Sequence, residues 1–145
     1  MHTDRLTAPW WALRAALGAT AFLAGLDKFF NLLADWPGYL SPIAAQLLPF
    51  SASTFMHLVG VIEMAVGVAI LVGFTRIGGY VAAAWLLCIA VNLVTTGHYF
   101  DVAVRDVSLA IAAFTLARLT EAGVVPVATL AQSAPGVGSR RTITA

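Results

Sequence analysis

Four long apolar stretches, separated by short polar breaks, set the pattern of this chain. They predict membrane-spanning helices at about 9–33, 54–74, 77–97 and 102–121, because each approaches the roughly 20 residues that cross a bilayer. The breaks carry proline, glycine and charged residues, which favour turns. We therefore predict an all-α membrane protein built as a bundle of four transmembrane helices.

A shorter apolar segment lies between the first two predicted helices. Residues 35–53 contain three prolines around the apolar run 43–48. This run is too short to cross a bilayer and too apolar for a solvated loop. We interpret it as a short interfacial or re-entrant helix. The alternative is a bent hydrophobic loop packed on the bundle.

The character of the chain changes after the fourth apolar stretch. From about Ala122 the residues are mostly Gly, Pro, Ser, Thr and Ala, with few large apolar side chains to pack. We predict that 122–145 form a flexible cytoplasmic tail, ordered at most against a partner. The transmembrane domain then comprises residues 1–121.

The first predicted helix has one face that combines small and basic residues. At about 100° per residue, five side chains fall within roughly 80° of one another, namely those of Arg14, Gly18, Ala21, Gly25 and Lys28. Small residues let a second helix approach closely in a membrane, and the cations need partners or water. The small residues are therefore predicted to hold this helix against the bundle.

The second predicted helix carries an acidic residue on its small-residue face. Gly60 and Gly67 share a face, and Glu63 lies within about 60° of both, so this face should point inward. A carboxylate near mid-membrane costs several kcal/mol unless it is neutral or paired. Either Glu63 forms a bridge to Lys28 or Arg105 that fixes helix packing, or it is a proton-active group lining a pocket.

Composition and charge narrow the function classes. The chain has 145 residues, of which 60% are hydrophobic and 10% charged, whereas about 25% are charged in soluble domains. A net charge of +1 predicts no nucleic-acid partner. One cysteine, Cys88, excludes disulfide chemistry within the chain. Motifs for phosphate binding, covalent haem attachment or dinucleotide binding are absent, so no covalently held cofactor is expected.

The distribution of basic residues predicts the orientation in the membrane. Four spans would place both termini on one side, and that side would carry six arginines: Arg5, Arg14, Arg76, Arg118, Arg140 and Arg141. The opposite side would carry Lys28 and Arg105. The positive-inside rule then places both termini in the cytoplasm, with the chain in the cell membrane of a prokaryote as a multi-pass protein.

This orientation gathers most of the remaining polar residues at the outer side. Glu63 and His57 are candidate proton-active groups, since a buried carboxylate and a histidine can exchange protons near neutral pH. The candidate polar pocket adds four residues: Lys28, His98, Arg105 and Asp106. No metal site is predicted, because the spacings do not point two ligands at one ion as HExxH does.

Arg105 and Asp106 are adjacent in the sequence, so their side chains leave the helix about 100° apart. We expect each to partner a different helix, with Lys28 or His57 as the partner of Asp106. Asp106 also lies on a stripe with Ala110, Ala113 and Ala117, which predicts a close-packed face.

Three segments resemble the DoxX/DoxD-like small integral membrane proteins. The face from Arg14 to Lys28-Phe29 looks like the opening of that family, and the run 62–67 with the Gly-Phe-Thr-Arg turn at 73–76 is similar to its second helix. The segment from His98 to Asp106 looks like its closing part. The resemblance covers about residues 10–120.

This resemblance implies a function for the chain. Family members occur as subunits of membrane oxidoreductases, including a thiosulfate:quinone oxidoreductase. It implies a subunit of a quinone-linked oxidoreductase or respiratory electron-transfer complex, without a redox centre of its own. Quinone is then the candidate cofactor, and the expected partners are the lipid bilayer and other membrane protein subunits.

Two alternatives remain at this point. The chain is either that subunit with an outer-side polar pocket, or a non-catalytic accessory subunit that stabilises a larger membrane complex. A third hypothesis is a binder of a lipid-like small molecule, which needs a laterally open cavity. A closed ion-pair network around Glu63 favours the accessory role, and an open cavity there favours the quinone role.

Overall fold

Four long helices and one short helix make up residues 3–124, the part of the chain that this computed structural model describes. The elements are α1 (Thr3–Asp27), a 3-10 turn (Trp36–Tyr39), α2 (Pro42–Leu47), α3 (Ala52–Val72), α4 (Thr75–Thr95) and α5 (Phe100–Glu121). Residues 3–124 contain no strand. The prediction of an all-α protein is confirmed.

Two helices have the length and composition of membrane spans. Among the described residues, α3 and α4 are long and apolar enough to cross a bilayer. Apolar side chains on both helices face outward, as in Val72 of α3 and Val91 of α4. That all four long helices cross the membrane stays a prediction.

Helix α1 lies six residues closer to the N-terminus than the predicted 9–33. At its end, the Asp27 carboxylate accepts hydrogen bonds from the backbone N–H groups of Leu32 (3.0 Å) and Leu33 (2.9 Å). Asn31 adopts a left-handed φ of 53°, through which a helix does not continue. The predicted end is wrong because Asp27 offers this backbone an alternative acceptor. The predicted start is wrong too, since the proline that suggested it lies inside the helix.

Helices α1 and α3 pack antiparallel along their glycines. A Cβ added at Gly25 would lie 2.6 Å from the carbonyl oxygen of Gly60, and one at Gly67 would lie 2.7 Å from that of Gly18. Both distances are far below van der Waals contact, so only glycine allows this approach. The predicted packing faces of the first two long helices are confirmed.

Helices α4 and α5 form a second close pair. A Cβ added at Gly79 would lie 2.9 Å from the Ala113 carbonyl oxygen and 3.0 Å from the Ala117 Cβ. Ala110, Ala113 and Ala117 are all buried, as is Asp106 on the same stripe. The predicted close-packed face of α5 is confirmed.

The connection before α3 contains the predicted short helix. The Ser41 hydroxyl caps α2 by accepting from the Ala44 N–H at 3.1 Å. The Asn92 side chain fastens this connection to α4, because its oxygen accepts from the Ser41 N–H (3.1 Å) and its nitrogen donates to the Tyr39 carbonyl (2.7 Å). The connection is therefore held at the end of α4 rather than free.

The predicted tail is described only at its start. Val124 is buried and joins the core cluster that includes Trp10, Ile70 and Leu116. One residue near the start of the predicted 122–145 tail, Val124, thus packs on the bundle, whereas Ala122 and Gly123 are exposed. The rest of that prediction lies outside the described residues.

Candidate functional site

A buried ion pair joins α3 to the segment that follows α1. The Lys28 Nζ lies 2.5 Å from the Glu63 Oε2, and both residues are more than 90% buried. The pair follows from the glycine packing, since Gly25 and Gly60 bring the two backbones into contact one turn away. Of the two bridges considered for Glu63, the structure contains the one to Lys28.

An indole ring covers the lysine. The Lys28 Nζ lies 3.7 Å from the centroid of the Trp36 ring, a cation–π contact. The Trp36 Nε1 donates at 2.7 Å to Asp27 Oδ2, which holds the ring in place. The cation is therefore enclosed by a carboxylate on one side and an aromatic face on another.

A second indole, that of Trp85, lies near the Glu63 carboxylate. The Trp85 N–H is close enough to interact with Glu63, yet it has no partner within hydrogen-bond geometry among the described residues. An unpaired buried donor costs about 1–3 kcal/mol, so it would gain from an added acceptor.

Asp106 takes a partner that the sequence analysis did not expect. Its Oδ1 accepts from both Nε and Nη2 of Arg105, each at 3.1 Å. The expectation that each would bind a different helix is wrong for this pair, because the long arginine side chain folds back over its neighbour. Asp106 is buried and interacts electrostatically with Lys28 and Glu63. Two basic and two acidic groups thus form one neutral cluster.

The two candidate histidines lie outside this cluster. His57 is half-buried and stacks on Phe29, with ring centroids 4.9 Å apart and planes 4° from parallel. His98 is exposed in the turn before α5, and its contacts are with Thr96 and the Tyr99 ring. His57 is therefore a neighbour of the cluster through Phe29, whereas His98 contacts residues of its own turn.

Sequence reasoning missed Asp27, Trp36 and Trp85. Asp27 was visible only as the neighbour of Lys28 at the end of an apolar run. Trp36 lies in the segment 35–53 that contains the short apolar run, and Trp85 lies in the third apolar stretch. The contacts of Asp27 and Trp36 depend on the irregular path of the chain between α1 and α2, which periodicity does not determine.

Two grooves in the described structure lie elsewhere. One has a volume of 540 Å³ and is lined by the α3–α4 turn, α4 and Thr120 of α5, and the other, of 380 Å³, lies between α3 and α4. Neither is lined by Lys28, Glu63 or Asp106. Within residues 3–124, no group of three or more His, Cys, Asp or Glu side chains is placed to hold a metal ion.

Comparison with known proteins finds a family model that covers most of the residues of this cluster. The family model DoxX matches residues 10–98, more than half of the chain. The matched region contains Lys28, Glu63, Trp36 and Trp85 and stops before Asp106. No curated protein and no solved structure matches the chain.

Proposed function

The chain belongs to the DoxX family, and from that premise we propose that it is a membrane subunit of a quinone-linked oxidoreductase or respiratory complex. Its own part is non-catalytic: it stabilises the assembly, and the electrons move through partner subunits. Family membership and the apolar α3 and α4 support the bilayer as its environment.

The observation that carries this role is the closed Lys28–Glu63 pair. Both charges are buried, the Trp36 ring covers the ammonium, and neither groove reaches them. Such a pair holds two segments of the bundle together. Breaking a buried pair by removing one partner costs about 3–5 kcal/mol, so the pair dictates how the helices associate.

We further propose that all four long helices cross the cell membrane of a prokaryote with both termini in the cytoplasm. Helices α1 and α5 have 25 and 22 residues, enough for about 30 Å of hydrocarbon at 1.5 Å per residue. Each packs along a helix of span-like composition. The arginine distribution supports the orientation.

A second candidate is a quinone site at the same cluster, and the unpaired Trp85 indole favours it. The Trp85 N–H and Lys28 would each donate to one quinone carbonyl, with Glu63 as a proton-active group. The Trp36 ring would have to move to admit the quinone. His57, beside the cluster, would then act as a proton relay.

The test is purification in a mild detergent, followed by mass spectrometry of proteins and lipids that co-purify. We expect a complex with at least one oxidoreductase subunit. A monomer without protein partners would overturn the proposed role.

Glu63→Gln separates the two candidates. If the pair only stabilises, the variant loses assembly and its quinone turnover falls in proportion to the complex that remains. If the cluster binds quinone, the complex assembles normally and turnover per complex falls. Arg5→Gln is the matched control, because it also removes one charge but from an exposed side chain.

A further inference from the structure

Two grooves adjoin at the side chains of Phe74, Ile77 and Val81, which line both of them, and together they are called the trough. The 540 Å³ groove is lined by the α3–α4 turn, α4 and Thr120 of α5, and the 380 Å³ groove lies between α3 and α4. The far end of the trough reaches Ile62 of α3. Phe74 and Ile77 are each 65% exposed, so the trough opens sideways towards the surroundings of the bundle.

The trough has the length of one leaflet. Its α3 wall, from Ile62 to the helix end at Val72, rises about 15 Å at 1.5 Å per residue. The hydrocarbon core of a bilayer is about 30 Å thick, so this wall covers about half of it. An apolar trough of this depth fits an acyl chain that enters from one membrane face.

Two arginines lie at the mouth of the trough, which is the end formed by the 540 Å³ groove. Arg76, which lines the mouth, pairs through Nε with Glu121 Oε1 at 2.8 Å. Arg118 pairs with Glu121 Oε2 at 2.5 Å. Two guanidiniums therefore share one carboxylate, and their side chains are 64% and 62% exposed. Most of their donors remain available to an anion.

A hydroxyl group completes the mouth. The Tyr80 OH lines the same groove and donates to Glu121 Oε2 at 2.9 Å. This bond orients the carboxylate that holds both arginines, so the basic side chains stay beside the groove. The local excess of one positive charge is complementary to a phosphate diester.

We propose that this trough binds an anionic phospholipid. The headgroup phosphate is bound by Arg76 and Arg118, and one acyl chain lies along α3 and α4 over Ile77. Basic pockets between transmembrane helices bind anionic headgroups for the same electrostatic reason. The inference requires the membrane setting and does not depend on the partner subunits or on the Lys28–Glu63 cluster.

The experiment measures lipid binding to the purified full-length chain by native mass spectrometry. The probes are phosphatidylglycerol and phosphatidylcholine with identical acyl chains. We expect phosphatidylglycerol to bind preferentially, and Arg76→Gln to weaken its binding about fivefold, the value of one basic residue near a headgroup. Ile77→Trp, which fills the trough from an exposed position, should weaken both lipids.

Arg5→Gln is the control, since it removes one exposed positive charge from α1. If it weakens phosphatidylglycerol binding as much as Arg76→Gln, the effect is general charge and the proposed site is wrong. Equal binding of the two lipids by the wild type would overturn the proposed role of the headgroup. If the Ile77→Trp variant binds both lipids as well as the wild type does, the proposed role of the acyl chain is wrong. A mass of two chains with no bound lipid would show that a second copy occupies the trough.

Discussion

Among the ion pairs of the described residues, Lys28–Glu63 is the one in which both side chains are buried. Each charge alone would be costly in a low-dielectric interior, and the 2.5 Å contact offsets that cost only while both partners are present. The Trp36 ring adds a cation–π contact on the lysine. The two side chains must therefore be considered together, because removing one leaves the other uncompensated.

A double-mutant cycle at this pair should show strong coupling. We expect Glu63→Gln and Lys28→Met each to lower the free energy of unfolding by about 3–5 kcal/mol, because each leaves one unpaired buried charge. The double variant should be more stable than the two losses predict, since it removes both charges of the pair. Thermal unfolding in detergent measures all four proteins, and additive losses would contradict the coupling.

The Trp36 contacts can be separated by two substitutions. Trp36→Phe keeps an aromatic face over Lys28 and loses the hydrogen bond to Asp27, which should cost about 1–3 kcal/mol. Trp36→Leu loses both contacts and should cost more. The measurement is again the unfolding temperature in detergent. If the two variants are equally stable, the cation–π contact contributes nothing.

The sequence predicted some of the contacts between residues and missed others, and the difference has a physical reason. The Lys28–Glu63 bridge was one of two expected because both residues lie on small-residue helix faces that periodicity defines. The Arg105–Asp106 bond was not expected, because the angle of about 100° per residue gives only the direction in which each side chain leaves the helix. It does not give the position of the guanidinium at the end of a long arginine side chain. The Asp27–Trp36 bond depends on a non-helical path with no periodic signal.

At the scale of the elements, glycine seams determine which helices pair. Gly18 and Gly25 of α1 meet Gly67 and Gly60 of α3 at distances that no Cβ would allow. This seam was predictable, because the 100° rule places small residues on one face. The ends of α1 were not, since the Asp27 side chain and not the apolar pattern ends the helix.

Widening the seam should separate α1 from α3. Gly25→Val places a side chain against backbone atoms of α3, so we expect a loss of about 3 kcal/mol or more, at or above the upper end of overpacking effects. Ala19→Val, on an exposed face of the same helix, is the matched control and should cost little. Unfolding in detergent compares the two, and equal losses would contradict a close seam at Gly25.

At the scale of the whole molecule, contacts between distant segments close the bundle. The Trp10 Nε1 donates at 2.8 Å to the Thr120 hydroxyl, joining the start of α1 to the end of α5. Arg14 donates to the carbonyls of Ile70 (3.0 Å) and Leu71 (2.6 Å), which satisfies the end of α3. The fold therefore links its first and last helices at one end and holds the charged cluster at the other.

The proposed orientation can be tested with cysteines in a Cys88→Ala background. We expect Asp101→Cys to react with a membrane-impermeant maleimide added to intact spheroplasts, and Arg5→Cys to react only after lysis. Both native side chains are exposed, so access depends on the membrane side alone. The reverse pattern would place the termini outside. Reaction of both in intact spheroplasts would contradict four spans.

The closed Lys28–Glu63 pair also constrains how the protein is made. The two residues are 35 positions apart, so a ribosome adding about 5–20 residues per second completes Glu63 roughly 2–7 s after Lys28. Until then, the first segment carries an ammonium group without its counter-charge. The ion pair between the end of α1 and α3 therefore forms only after α3 has been made, so the contact that fixes these two helices is made late relative to the synthesis of α1.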